Sequence, residues 1–213
     1  MKKFIVIDGF DGSGKDTQAQ FIYEMYKNKA NENSENSETE IVTLRSHPEN
    51  DNYFGKKAHK SLLKEGKVNK IIATICFVFD VFRSLILYYN KSDVLIFSRY
   101  LLAAAYFPEA QVKSVYKIFS FILPSSPFMF YLDLPPEIAM ERINTRNINN
   151  NQEFQIFENR KSLKESRKKA YLISADWIII DGSKDKNEIK DEIKNILLNN
   201  KNDSNNIHII VNE

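Results

Sequence analysis

Five short apolar runs punctuate the chain, at residues 4–7, 41–44, 94–97, 128–132 and 177–180. None alternates apolar with polar positions, so each reads as a strand covered on both faces. Between them, apolar residues recur at helical spacing. Ala19, Ile22, Tyr23 and Tyr26 form one such stripe, and Val112, Val115, Tyr116 and Phe119 a second. Leu163, Arg167, Ala170 and Tyr171 line a third, and Ile189, Ile193, Ile196 and Leu197 a fourth. Further helices are predicted over 54–64 and 69–89, on either side of Pro108, and from Pro136, a residue suited to a first helical turn. Buried strands alternating with helices specify an α/β fold: a three-layer α/β/α sandwich around a five-stranded parallel sheet, in one domain over 1–213.

Polar segments divide these elements. Residues 31–40 hold no apolar side chain and predict a flexible surface loop. Residues 147–155 are asparagine-rich and predict a mobile loop between helices. The stretch around His47-Pro48-Glu49 is irregular. The tail, 200–213, carries Ile207-His208-Ile209-Ile210-Val211, an added edge strand or an interface element. Residues 71–89 resemble a membrane span, but Asp80 and Arg83 interrupt them, and neither uncharged half reaches the roughly 18 residues required. A helix buried on most faces is the expectation there.

Composition narrows the function classes. The net charge of +2 arises from nearly equal totals, 30 basic and 28 acidic residues, which argues against a protein that wraps nucleic acid. A lone Cys76 excludes an internal disulfide and a clustered cysteine metal site, and reads as a small apolar residue. The apolar stretch that precedes Asp8 is only residues 4–7, too short for a signal peptide. A cytoplasmic protein without membrane or nucleic-acid partners is expected.

In parallel sheets, ligands gather beyond the carboxyl ends of the strands. Asp8, Ser98-Arg99 and Asp133 lie there. Gly9-Phe10-Asp11-Gly12-Ser13-Gly14-Lys15 fits the G-x-x-x-x-G-K phosphate loop, placed between a buried strand and an amphipathic helix. Glycines let successive amides turn toward an anion, the helix N-terminus adds partial positive charge, and Lys15 neutralises phosphate oxygens. Where Ser or Thr usually follows the lysine and touches Mg²⁺, the chain has Asp16, followed by Thr17. Asp16 either ligates Mg²⁺ or only caps the helix. In the first case nucleotide binding depends strongly on metal.

With these motifs the chain resembles the thymidylate kinase family over most of its length. Residues 4–18 look like that family's phosphate loop. Ser98-Arg99-Tyr100 sits where the family has Asp-Arg-Tyr, and Tyr131-Leu132-Asp133-Leu134-Pro135-Pro136-Glu137, with Arg142 and Arg146 beyond, resembles its fourth strand and lid approach. Arg167 and Tyr171 match an Arg-x-x-x-Tyr pattern after the lid. The resemblance implies ATP as donor, Mg²⁺, a nucleoside monophosphate acceptor with thymidine monophosphate leading, a lid over 144–157, and a homodimer through the 69–89 helix. It implies Phe77 near the base, unless Phe77 is only core packing, with Asp80 and Arg83 in a base-reading segment. Val81, Ser98 and His47-Pro48-Glu49-Asn50 depart from the family pattern, so that the charge holding the acceptor phosphate is either missing or displaced to Arg45.

The roles implied are those of charge neutralisation and alignment. Lys15 holds the transferring group, and Arg99 with Tyr100 stands between donor and acceptor. Arg142 or Arg146 closes with the lid, unless both line a solvated helix face, and supplies the charge that Gly12 lacks. Asp11 accepts from the acceptor sugar. Two other readings remain open: a nucleotide-binding relative that has lost transfer and acts as a sensor or partner-binding module, and a kinase of another small acceptor.

Overall fold

The computed structural model describes residues 3–33, 40–64, 66–150 and 159–199. Five strands, β1 (Lys3–Asp8), β2 (Val42–Ser46), β3 (Val94–Ser98), β4 (Phe128–Asp133) and β5 (Ile178–Asp181), form one sheet in the order β2-β3-β1-β4-β5. Every neighbouring pair is parallel. Seven α-helices appear among the described residues: α1 (Lys15–Asn33), α2 (Tyr53–Leu62), α3 (Lys67–Tyr88), α4 (Glu109–Ile122), α5 (Pro136–Asn150), α6 (Arg160–Tyr171) and α7 (Lys186–Asn199). A 3₁₀ helix, Leu101–Tyr106, follows β3.

The two faces of the sheet hold two cores, which is why the strands do not alternate with polar residues. Val6, Phe97, Met129 and Tyr131 pack on one side with Val81 and Leu85 of α3, Ile143 of α5 and Leu163 of α6. Ile5, Ile7, Ile96, Phe130 and Leu132 pack on the other against Ala19 and Ile22 of α1 and Ile189 and Ile193 of α7. Each large apolar side chain so buried contributes about 1.5–3 kcal/mol relative to exposure. Register aligns the strand ends: Ile7 of β1 stands beside Ser98, and Asp8 beside Tyr131. The side chains that end β1, β3 and β4 therefore meet along one edge.

Several expected boundaries move. Strand β2 runs two residues further than predicted, to Ser46, and Ile41 is left exposed. The Asn52 side chain accepts from the Gly55 N–H at 3.0 Å and starts α2 there, one residue early. Residues 31–33, expected in a loop, form the last turn of α1. Residues 147–150, also expected in a loop and in the lid, continue α5 instead, because Ile143 and Asn147 lie one turn apart and both are buried. The rest of those two loops, 34–39 and 151–158, and the 200–213 tail lie outside the described residues.

Helix α3 is not buried on most faces as expected. Its core stripe, Ala73, Asp80, Val81, Ser84 and Leu85, is buried, whereas Ile71, Ile75, Phe79, Phe82 and Ile86 are exposed on another stripe. A long helix laid on a sheet can bury only the side that faces it. By length and composition Ile71–Tyr88 would also suffice to cross a membrane. Asp80, however, is fully buried and bonded within the protein, accepting from the Glu49 N–H at 2.7 Å and the Asn52 amide at 2.6 Å.

Candidate phosphoryl-transfer site

Strand β1 delivers Asp8 to the rim of the sheet, and the chain turns through Gly9–Gly14 into α1. Gly12 (φ +83°) and Gly14 (φ +86°) take left-handed conformations that favour glycine. At Gly12 a side chain is also excluded by space, since a Cβ would come within 2.7 Å of the Ala139 carbonyl oxygen on α5. The phosphate loop is thus roofed by α5 and cannot carry a side chain of its own there. Ser13 Oγ is buried in the loop with no hydrogen-bond partner. A buried hydroxyl left unpaired is costly, and its position among loop amides suits a phosphate oxygen.

Lys15, at the start of α1, is almost fully buried. Its Nζ stands 3.7 Å from Asp11 Oδ1 and 3.5 Å from Asp16 Oδ2. Arg99 reaches the same Asp11 oxygen from the end of β3, in a close ion pair. Burial opposes ionisation of Asp11, but Arg99, Lys15 and then Arg146 outweigh it and hold the carboxyl below its ordinary range. Two cations thus converge on one carboxylate at the mouth of the loop, where an incoming polyphosphate would find them aligned.

Arg99 sits at φ +67°, a left-handed conformation that costs a non-glycine residue on the order of 1–3 kcal/mol. Asp8 holds it there. Oδ2 of Asp8 accepts the N–H of Tyr100 at 2.8 Å and of Leu102 at 3.1 Å, while Oδ1 accepts that of Gly9 at 2.8 Å. Burial pushes the Asp8 carboxyl upward, and the Tyr100 and Gly9 amides and Lys15 oppose that. One carboxylate therefore organises both the phosphate loop and the Arg99 turn.

Two cavities flank this centre. On one side, a cleft of about 440 Å³ is lined by Gly12–Gly14, Thr17, Gln18, Arg142 and the turn Ser183–Lys186. Arg142, on α5, donates to the Gly182 carbonyl at 3.0 Å and, at 3.4 Å, to that of Gly12. It bridges the phosphate loop to the β5–α7 turn. Arg146, one turn on, donates to Asn147 Oδ1 and lies near enough to lower the Asp11 pKa. The two arginines thus serve different sides of the loop.

On the other side, a second cavity is lined by the charged Asp8, Asp11 and Arg99 and by a mostly apolar set: Phe10, Ala58 and Leu62 of α2, Ala73, Thr74 and Phe77 of α3, and Leu102 and Tyr106. Of the residues expected to bind the acceptor, Asp11, Phe77 and Arg99 line it. Tyr100 does not; it is buried beneath, its hydroxyl donating to the Pro124 carbonyl. Arg45, Asp80 and Arg83 do not line it either. Arg45 donates to Asp51 at 2.6 Å and pairs with Glu49 at 3.3 Å, and Arg83 lies 3.4 Å from Asp51. Together with the Asp80 bonds they brace the β2–α2 loop, which presents Pro48 to the cavity.

A fork of hydrogen bonds ties α6 to the end of β4. Arg167 donates to both oxygens of Asp133 at 2.7 Å, and Tyr171 donates to Oδ2 at 2.5 Å. Arg167 and Tyr171, matched by pattern in the sequence, therefore hold the segment that follows 151–158. Asp8 is placed at the strand ends by the sequence but given no role there, and Thr74, Tyr106 and Ser183–Lys186 are not read as site residues at all. The last could have been found from Asp181-Gly182-Ser183, which closes β5 at a strand carboxyl end as surely as Asp8-Gly9 closes β1.

Among the described residues no group of three or more His, Cys, Asp or Glu side chains could hold a metal. Beside the buried, ion-paired Asp11, Asp16 offers an exposed carboxylate at the loop: Ser98 Oγ donates to its Oδ1 at 2.5 Å, and its side chain is 61% exposed. That donor set fits Mg²⁺, which takes one or two carboxylates and completes its shell with phosphates and water.

The thymidylate kinase family model matches residues 7–193. A probable thymidylate kinase of Saccharolobus solfataricus is 28% identical over 210 residues, covering 94% of this chain and 99% of that protein. A thymidylate kinase of Leptospira interrogans is also 28% identical, over 92% of this chain and 94% of its own. Among solved structures, a thymidylate kinase from Candida albicans shares the fold with a TM-score of 0.67 at 17% identity, covering 94% of this chain and 92% of that one. A phosphate loop poised between two cavities, on this sheet order and with this match, places the chain in the thymidylate kinase family of nucleoside monophosphate kinases.

Proposed function

We propose that the chain transfers the γ-phosphoryl group of ATP to thymidine monophosphate, with Mg²⁺ bound to the donor. The observation that carries this reading is the convergence of Lys15 and Arg99 on Asp11, between a polar cleft and a largely apolar cavity. ATP would lie in the cleft with its phosphates in the loop, and the acceptor base in the cavity beside Phe77. An oxygen of the acceptor phosphate attacks the γ-phosphorus as the bond to ADP breaks. Lys15 and Arg99 hold the equatorial charge, and Arg146 adds to it from α5. Arg142 positions the donor. Asp11 keeps the two cations in place until phosphate arrives, and its carboxylate faces the acceptor sugar. Asp16 would hold Mg²⁺, which would supply charge neutralisation on the donor phosphates.

A sensor that has lost transfer is not favoured, because the family match and the buried, paired Lys15 and Arg99 support a working kinase. We take the exposed stripe of α3, Ile75, Phe79 and Ile86 among it, as the face of a homodimer rather than a bilayer contact, and the cytoplasm as the compartment. ATP consumption over a panel of nucleoside monophosphates tests the reading. Thymidine monophosphate should be turned over at least about tenfold more efficiently than uridine, cytidine or guanosine monophosphate. Preference for another nucleotide would move the acceptor, and tight ATP binding with no acceptor consumed would remove the kinase.

A further inference from the structure

Phosphate loops of this type hold Mg²⁺ with two protein groups: a hydroxyl on the residue after the lysine and a carboxylate from a neighbouring strand end. Here the residue after Lys15 is Asp16, and the residue ending β3 is Ser98. The structure brings these two side chains together: Ser98 Oγ donates to Asp16 Oδ1 at 2.5 Å. We propose that the pair is transposed in this chain, Asp16 supplying the carboxylate and Ser98 the hydroxyl, and that the two act as one unit toward the donor's divalent cation. The inference rests on the kinase reading above.

Three observations support a unit rather than two separate substitutions. Ser98 is fully buried at the end of a strand whose other residues, Val94 to Phe97, are all apolar and buried. A hydroxyl there needs a partner, and Asp16 is that partner. Ser98 stands in register with Ile7, immediately before the Asp8 that opens the loop turn, so strand register places it beside the loop. Finally, the pair keeps one negative charge and one hydroxyl beside Lys15, whose Nζ is 3.5 Å from the other Asp16 oxygen. Changing either member alone breaks that balance. Asp16→Ser leaves two hydroxyls and no charge, and Ser98→Asp sets two carboxylates against each other. Exchanging both restores it. A carboxylate that only stabilises the start of α1 would show no such coupling.

The test is a double-mutant cycle read by metal binding. Manganese(II) is titrated by paramagnetic resonance into enzyme saturated with a non-hydrolysable ATP analogue, for wild type, Asp16→Ser, Ser98→Asp and the double exchange. Asp16→Asn, which can still accept the Ser98 hydroxyl, is the variant least apt to disturb folding, and thermal melting is recorded for all. Asp16→Ser and Asp16→Asn should each weaken manganese binding at least about tenfold, and the double exchange should return to within about threefold of wild type. Manganese affinity unchanged in Asp16→Asn would overturn the proposal, as would a double exchange no tighter than Asp16→Ser. Failure of the kinase reading looks different: wild type would then bind no analogue by calorimetry, with or without manganese, and this inference would fall with it.

Discussion

The carboxylate of Asp8 accepts the backbone N–H of Tyr100 at 2.8 Å, and in doing so fixes the left-handed turn that aims Arg99 at the phosphate loop. Both carboxylate oxygens of Asp8 are taken up by backbone amides, so it acts on the site chiefly by setting the angle of Arg99. Three backbone amides depend on it, and a buried amide left without an acceptor costs about 1–3 kcal/mol. Asp8→Asn should therefore lower the free energy of unfolding by about 2–3 kcal/mol, measured by urea denaturation. It should also lower kcat more than the affinity for ATP. A variant as stable and active as wild type would show that the Arg99 turn holds without it.

Lys15 is the cation the loop chemistry leans on most. Lys15→Ala should reduce turnover at least about a hundredfold, equivalent to roughly 3 kcal/mol of transition-state stabilisation. Steady-state kinetics on folded enzyme decide it. A loss below threefold would remove Lys15 from the mechanism.

The two arginines of α5 should separate kinetically. Arg142 bridges the carbonyls of Gly12 and Gly182 beside the donor cleft, so Arg142→Ala should weaken ATP binding about tenfold, the worth of one charged hydrogen bond. Arg146 acts on the Asp11 side, so Arg146→Ala should lower kcat about tenfold or more while leaving ATP affinity within threefold. Calorimetry with ATP and initial rates, taken together, would expose an exchange of these roles.

His47 gives the fold a pH dependence of stated sign. Its ring is buried against Phe97, with Nε2 2.9 Å from Ser84 Oγ, and burial, aided by nearby Arg45, depresses its pKa to about 3. The unfolded chain takes up a proton near pH 6.5 that the folded one refuses. Stability is therefore fully present above that value and is lost as pH falls toward 3. Between pH 7.5 and 5.5 this contributes a loss of about 1.4 kcal/mol. Urea midpoints at the two values should fall less in His47→Gln than in wild type. Equal falls would mean that the ring can protonate in place.

The exposed stripe of α3 makes the proposed dimer testable by mass. Sedimentation should find a dimer, and Phe79→Glu with Ile86→Glu should give a monomer that keeps its fold. A wild-type monomer at tens of micromolar would end that part of the reading.

Much of this architecture was legible before any coordinates. Runs such as 94–97 and 128–132 have to be covered on both faces, because no polar residue interrupts them, and a parallel sheet is the fold that covers them. The phosphate loop was legible for a similar reason: glycine spacing and an adjacent lysine act locally, through the backbone of a single turn. What sequence spacing could not decide was which side chains meet across elements. Asp80 and Arg83 are expected beside Phe77 at the base and Arg45 at the acceptor phosphate, yet of the four only Phe77 faces the cavity, because Asn52, Glu49 and Asp51 draw the other three into bracing a loop. Helix α3 was equally ambiguous, since an apolar helix looks the same whether its outer stripe meets a core or the outside. The pairing of Ser98 with Asp16 joins positions 82 residues apart, and only strand register brings them within a hydrogen bond. Local physics along the chain determined the elements and the anion-binding turn; the order of strands in the sheet decided which charges share a site, because it alone sets distances between residues remote in sequence.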